Sequence, residues 1–109
     1  MITVEQVLQF KSSADLLYQA KDYTSATILY FKALFAIHDY MLLKKTGESP
    51  KDHGARFRLL EKHFPDLYHE LDLEFTTYQD TYSKVVDKDT CTRIKKRVEN
   101  GLKRYQITA

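Results

Sequence analysis

The side chains best suited to chemistry in this chain are an arginine and a histidine in one predicted helix. Arg58 and His63 are separated by four residues. A histidine can transfer a proton near neutral pH, and an arginine can stabilise the charge of an anionic group such as a phosphate. At this spacing the side chains point about 140° apart around a helix, which is a poor geometry for joint action within one subunit, so a solvated helix face is the favoured interpretation.

Further polar candidates lie in a loop and within an apolar segment. The loop GESPKDHG contains Lys51 and His53, which can contact a phosphate or another acidic group. For His53 the favoured alternative is a structural role, in which it satisfies the start of the next helix and packs on the end of the bundle. His38 and Asp39 interrupt the apolar run from 26 to 43. Such a pair is either a buried functional group or marks the exposed or dimer-facing edge of its helix.

The C-terminal segment carries the clearest charge pattern in the chain. Between positions 93 and 104 six basic residues accompany a single acidic residue, Glu99, and the six are Arg93, Lys95, Lys96, Arg97, Lys103 and Arg104. A stripe of this kind can bind RNA phosphates or an acidic partner protein. A solvated helix face is the alternative interpretation.

Composition limits the remaining classes of site. The single cysteine, Cys91, excludes an intramolecular disulfide framework, and no short ligand spacing links it to His38 or His53. We therefore predict no metal and no cofactor. The formal net charge of +2 is too small to indicate nucleic-acid binding by itself. The N-terminus is polar within five residues and lacks the pattern of a signal peptide, which predicts a cytoplasmic protein.

The elements that must position these side chains are organised around the apolar segment from Asp22 to Lys45. Its apolar and aromatic residues cover nearly the whole circumference of a helix, so the helix must be covered on several sides. Lys32, His38 and Asp39 interrupt the apolar run, which argues against a membrane span. Most of the tyrosines and phenylalanines, which could stack on bases, fall on inner helical faces, so core packing is their default role.

The first helix and its connection to this central helix have clear local signals. Thr3 with Gln6 forms a predicted capping box that starts the helix at Val4. The two residues at 21–22 are a tight connection, so the first two helices should form an antiparallel hairpin.

Helix signals continue along the rest of the chain. Ser49 and Pro50 are the predicted N-cap and first residue of a third helix, Pro65 opens a fourth, and Asp89 caps the last. The inner face of the fourth helix is predicted to comprise Leu67, Leu71, Phe75, Tyr78, Tyr82 and Val85. No alternating strand pattern of any length is present. The sequence predicts one all-α domain, an up-and-down bundle of four to five helices.

Two families resemble parts of this pattern. Residues 14–34 fit one tetratricopeptide unit, although a repeat protein needs about three units. The chain more broadly resembles the HEPN family of small prokaryotic helical bundles. The residues that carry this resemblance are ADLLYQAKDY, then SATILYFKALFAIHDYMLL, the loop GESPKDHG, and YQDTYSKVV before an amphipathic last helix.

The HEPN resemblance implies a homodimer, often encoded beside a minimal nucleotidyltransferase in a toxin–antitoxin pair. Many members are metal-independent ribonucleases with an arginine, usually followed by a polar residue, and a histidine four to six residues later. Arg58 and His63 have that spacing but lie earlier in the bundle than the family places them. Tyr78 stands where related chains carry the arginine.

These observations give one main hypothesis and two alternatives. The main hypothesis is a non-enzymatic or weakly active HEPN-like interaction module, a homodimer that either pairs with a nucleotidyltransferase-like antitoxin or binds RNA. In this case Arg93, Lys96, Arg97, Lys103 and Arg104 would form the binding surface. The alternatives are a ribonuclease toxin that uses Arg58 and His63, and a tetratricopeptide-like adaptor. Whether the chain is an enzyme is left open by the sequence.

Overall fold

The apolar central helix is surrounded by four others, as its all-round hydrophobicity requires. The computed structural model describes residues 2–108, and the central helix α2 packs against each of the other helices. The described residues contain no strand. The all-α bundle is confirmed, with five helices: α1 Val4–Gln19, α2 Tyr23–Thr46, α3 His53–His63, α4 Pro65–Asp80 and α5 Lys88–Arg104.

The hairpin of α1 and α2 forms as its local signals predict. The Thr3 hydroxyl accepts a hydrogen bond from the Gln6 amide at 3.2 Å, and the Gln6 side chain accepts one from the Thr3 amide at 2.9 Å. Lys21 takes a left-handed conformation with φ 63°, which reverses the chain between the helices. Asp22 then caps α2 by accepting a hydrogen bond from the Ser25 amide.

The predicted start of α3 is wrong by three residues. The helix begins at His53, and its N-cap is Asp52, whose carboxylate accepts a hydrogen bond from the Ala55 amide at 2.8 Å. Ser49 and Pro50 lie in the loop instead. Serine and aspartate are comparable N-caps, so tertiary packing decides between them. Here the ring of His53 packs among aromatic side chains from α2 and α4, which fixes the first turn.

The boundaries around the turn between α4 and α5 also differ from the prediction. Pro65 opens α4 as expected, but the helix ends at Asp80. Tyr82 and Val85 therefore leave its inner face and are 76% and 92% exposed. The N-cap of α5 is Asp87 instead of Asp89, because the Asp87 carboxylate accepts a hydrogen bond from the Thr90 amide at 2.8 Å.

By length and composition alone, α2 could also cross a membrane. Of its most apolar 18-residue window, 61% is buried inside the bundle. Buried core helices share the apolar composition of membrane spans. The structure thus accounts for the hydrophobicity of α2 by its central position.

Candidate functional site

A surface cleft of about 280 Å³ lies where α2, α3 and α4 meet, with α1 at its edge. Its walls include two cationic side chains, a carboxylate, an imidazole and several aromatic rings. The volume is at the lower limit of about 300–1,000 Å³ that is typical of small-molecule sites. The side chains that matter most below are Lys32, Phe35, Asp39, His53, Arg56 and Tyr78.

A hydrogen-bonded chain of three polar side chains forms one wall of the cleft. The Arg56 guanidinium donates from Nε to Asp39 Oδ1 at 2.7 Å and from Nη2 to Asp39 Oδ2 at 2.9 Å. Its Nη1 lies 2.6 Å from Nδ1 of His53. Arg56 is only 9% exposed, and its guanidinium also lies 5.0 Å from the centre of the Phe35 ring. Bidentate pairing of this kind fixes the orientation of the arginine.

The contact with Arg56 determines which nitrogen of the His53 ring carries the proton. A guanidinium can only donate, so Nδ1 of His53 accepts and the neutral ring carries its proton on Nε2. Burial and the neighbouring Arg56 charge lower the pKa of His53, more than Asp39 raises it. The lowered pKa and the contact with Arg56 both favour the neutral imidazole.

Aromatic side chains support the other side of this histidine. The His53 ring centre lies 4.9 Å from that of Phe35, 5.3 Å from Phe75 and 5.4 Å from Tyr78, in edge-to-face arrangements. The Tyr78 hydroxyl lies 2.7 Å from that of Tyr82. Burial and this hydrogen bond raise the pKa of Tyr78 to about 12. The histidine is therefore held on one side by a charge network and on the other by packed rings.

His38 and Asp39 are neighbours in sequence but face different environments. Asp39 lines the cleft, whereas His38 is fully buried in the core. Neither ring nitrogen of His38 has a hydrogen-bond partner within residues 2–108. Burial, with a smaller contribution from Arg56, lowers the pKa of His38 to about 3. His38 is thus a neutral core residue with two unsatisfied polar atoms, and its interpretation as part of an exposed edge is wrong.

The predicted pair Arg58 and His63 is not assembled into a site within this subunit. Arg58 is exposed on α3, and His63 is half-buried in the last turn of that helix. Among the described residues no hydrogen bond joins the two side chains. The Nη1 atom of Arg58 instead folds back over Gly54 in the first turn. A catalytic role for this pair stays a prediction.

Several of the predicted basic residues of α5 hold that helix against α4. Arg93 and Arg97 both donate to Glu74, which is 2% exposed, and Arg97 also reaches Glu70 at 3.3 Å. Burial raises the pKa of Glu74, but the hydrogen bonds from the two arginines outweigh it and leave that pKa below its ordinary value. These contacts give both arginines a structural role.

The other predicted binding residues lie further towards the surface. Arg104 pairs with Asp66 at 3.2 Å, and both side chains are more than half exposed. Lys96 and Lys103 are exposed, and the described part of the chain offers neither an ion-pair partner. Lys51 is likewise exposed, in the loop before α3. Binding by this surface is untested and stays a prediction.

Lys32 and Arg56 were missed as residues of the cleft, whereas Asp39 was already a candidate through its pairing with His38 in the sequence. Asp39 and Lys32 are among the few polar residues in an apolar helix, which is the pattern expected where a core helix reaches a site. Arg56 lies on an otherwise mixed helix and becomes meaningful only once Asp39 is seen to face it. His53, by contrast, was a predicted candidate and lies in the cleft.

The polar side chains of the cleft do not extend to a metal site in the described part of the chain, and the comparisons with known proteins identify no relative. Within residues 2–108 no group of three or more His, Cys, Asp or Glu side chains is placed to hold a metal ion. Comparison of the chain with protein-family models, with curated protein sequences and with solved structures finds no match.

Proposed function

We propose that this chain is a HEPN-like helical-bundle module that binds single-stranded RNA in the cleft between α2, α3 and α4. The observation that carries the proposal is the combination of a fixed imidazole, an exposed ammonium and aromatic rings in one small concave site. Single-stranded RNA offers the matching groups, because its bases are free to stack and its phosphates accept hydrogen bonds.

The charges of the cleft support an anionic ligand. Asp39 is neutralised by its bidentate pair with Arg56, so the exposed ammonium of Lys32 is the uncompensated charge at the rim. Tyr78 and Phe35 supply apolar walls beside it. One nucleotide unit carries both of the groups that these walls would contact, a flat base and one phosphate.

Fluorescence anisotropy with a short labelled oligoribonucleotide tests the proposal. We expect wild-type protein to bind the single strand more tightly than the same sequence in a duplex. Lys32→Glu should weaken binding about tenfold, since it replaces attraction by repulsion at one phosphate. Lys45→Glu, an equally exposed position on the same helix, is the matched control and should have a small effect. Equal weakening by both variants would contradict the proposed location.

A metal-independent ribonuclease is the second candidate function. It is favoured by the direct contact of His53 with Arg56, which brings together the two residue types that the HEPN resemblance implies for catalysis. In this candidate the neutral His53 would donate a hydrogen bond through Nε2 to a phosphate oxygen, where negative charge develops, and would not act as the general acid, because loss of its single ring proton would leave an imidazolate. Incubation with end-labelled RNA in EDTA tests this candidate. Cleavage lost in His53→Ala would locate it in the cleft, and cleavage lost in His63→Ala would support the pair on α3.

The proposed assembly also follows from the HEPN resemblance. We propose a cytoplasmic homodimer that pairs with a nucleotidyltransferase-like antitoxin. Tyr82, which is hydrogen-bonded to Tyr78 at the cleft, and Val85 expose apolar surface that a second copy would cover. Light scattering on wild-type protein and on Val85→Glu tests this surface, and we expect a dimer and a monomer respectively. A monomeric wild type would contradict the homodimer.

A further inference from the structure

The two nitrogens of His53 have different surroundings, and this difference suggests how the cleft recognises its ligand. Nδ1 accepts a hydrogen bond from Nη1 of Arg56 at 2.6 Å. Nε2 has no protein partner among residues 2–108, yet it is not among the buried unsatisfied atoms of that part of the chain, so it reaches solvent. The imidazole lines the cleft. Its free N–H is therefore presented to whatever enters.

Asp39 and Arg56 leave the histidine little freedom to present the other tautomer. Arg56 makes two hydrogen bonds to Asp39 and is largely buried, so it cannot easily turn away from Nδ1. A guanidinium has no acceptor, and a proton on Nδ1 would face one of its N–H groups. The hydrogen bonds of the ion pair are directed to each other and to Nδ1, so the pair orients the ring in the way that partners of a metal-bound histidine fix its tautomer.

We propose that His53 contacts an RNA phosphate as a hydrogen-bond donor through Nε2, and that Asp39 and Arg56 are positioning residues that hold it in this form. This inference rests on the proposed RNA-binding function and identifies the group that recognises the backbone. A donor beside the Lys32 ammonium favours an anionic oxygen over a base or a metal ion, because both groups donate and neither can ligate a cation.

Two substitutions of His53 separate the roles of its nitrogens. The amide of glutamine reaches the position of Nε2 and can donate there, whereas the amide of asparagine reaches only the position of Nδ1. We expect the RNA affinity of His53→Gln to stay within about threefold of wild type, and the RNA affinity of His53→Asn to fall about tenfold. Equal losses in the two variants, or the reverse order, would overturn the assigned donor.

The positioning role has a spectroscopic signature that does not depend on RNA. Long-range proton–nitrogen correlation spectra of protein labelled with ¹⁵N-histidine should show His53 neutral and protonated on Nε2 at pH 7. In Asp39→Asn we expect the Nδ1-protonated form to gain population and RNA affinity to fall several-fold. A folded Asp39→Asn protein with an unchanged tautomer would overturn the positioning role. If that variant does not fold, the wild-type spectrum decides, because an Nδ1-protonated His53 at pH 7 would itself overturn the positioning role.

The failure of this inference can be told apart from the failure of the proposed function. If Lys32→Glu weakens RNA binding while His53→Asn binds like wild type, the cleft binds RNA but His53 is not the donor. If neither the variants nor the wild type bind RNA, both the proposed function and the proposed phosphate contact are refuted. The tautomer of His53 would then still report whether the ion pair orients the ring.

Discussion

Replacement of the buried His38 should make the protein less sensitive to acid. His38 is fully buried without hydrogen-bond partners, and its pKa in the folded protein is about 3. In the unfolded chain a histidine has a pKa of about 6.5. Between these values the unfolded chain binds a proton on His38 that the folded chain does not, so the free energy of unfolding falls as the pH falls.

The size of this effect follows from the two pKa values. Each pH unit below about 6.5 removes about 1.4 kcal/mol, so acidification from pH 7 to pH 5 costs about 2 kcal/mol through His38 alone. His38→Leu removes this dependence. It also removes two unsatisfied buried atoms, which should stabilise the protein at pH 7 by about 1–3 kcal/mol, less any loss of packing.

Urea denaturation at pH 7 and pH 5 measures both quantities. Other titrating groups are present in wild type and variant alike, so the difference between their losses of stability isolates His38. We expect wild type to lose about 2 kcal/mol more than His38→Leu. His69→Gln, at an exposed histidine of α4, is the control and should follow wild type. Equal losses in wild type and His38→Leu would refute the reasoning.

Three further predictions concern other parts of the bundle. Glu74→Gln should lower the free energy of unfolding, measured by urea denaturation, by about 2 kcal/mol, because it removes the buried charge that binds two arginines of α5. The control Glu61→Gln, at an exposed position, should change this free energy little. Gly47→Ala should cost about 1 kcal/mol, measured by thermal unfolding, because Gly47 caps α2 with φ 78°. Buried Cys91, whose pKa is raised by burial, should react with a thiol reagent only at the rate of global unfolding, and rapid labelling of native protein would contradict its burial.

The sequence was sufficient for the helices because their signals are local or periodic. The capping box of Thr3, the left-handed Gly47 and the opening Pro65 each act within one turn of their own helix. The all-round hydrophobicity of α2 likewise required its central position. Where two good caps compete, as Ser49 with Asp52 or Asp89 with Asp87, local chemistry does not discriminate and packing decides the boundary.

The cleft could not be derived in the same way. Asp39 and Arg56 belong to different helices and meet only because α3 returns against α2 after the loop. Arg58 and His63 were selected because the histidine follows the arginine at a set spacing. In the observed contact, the histidine instead precedes the arginine, since His53 lies three residues before Arg56 on α3. On α5, charge density in the sequence did not reveal that Glu74 binds two of the arginines.

The central claim is that RNA binds in the cleft, and photo-crosslinking tests it most directly. A single-stranded oligoribonucleotide containing 4-thiouridine would be irradiated with the protein, and the linked peptides would be identified by mass spectrometry. We predict crosslinks at the aromatic walls, on Phe35 or Tyr78, that decrease in Lys32→Glu. Crosslinks confined to α5, around Lys96 and Lys103, would contradict the account and move the binding surface to the basic helix.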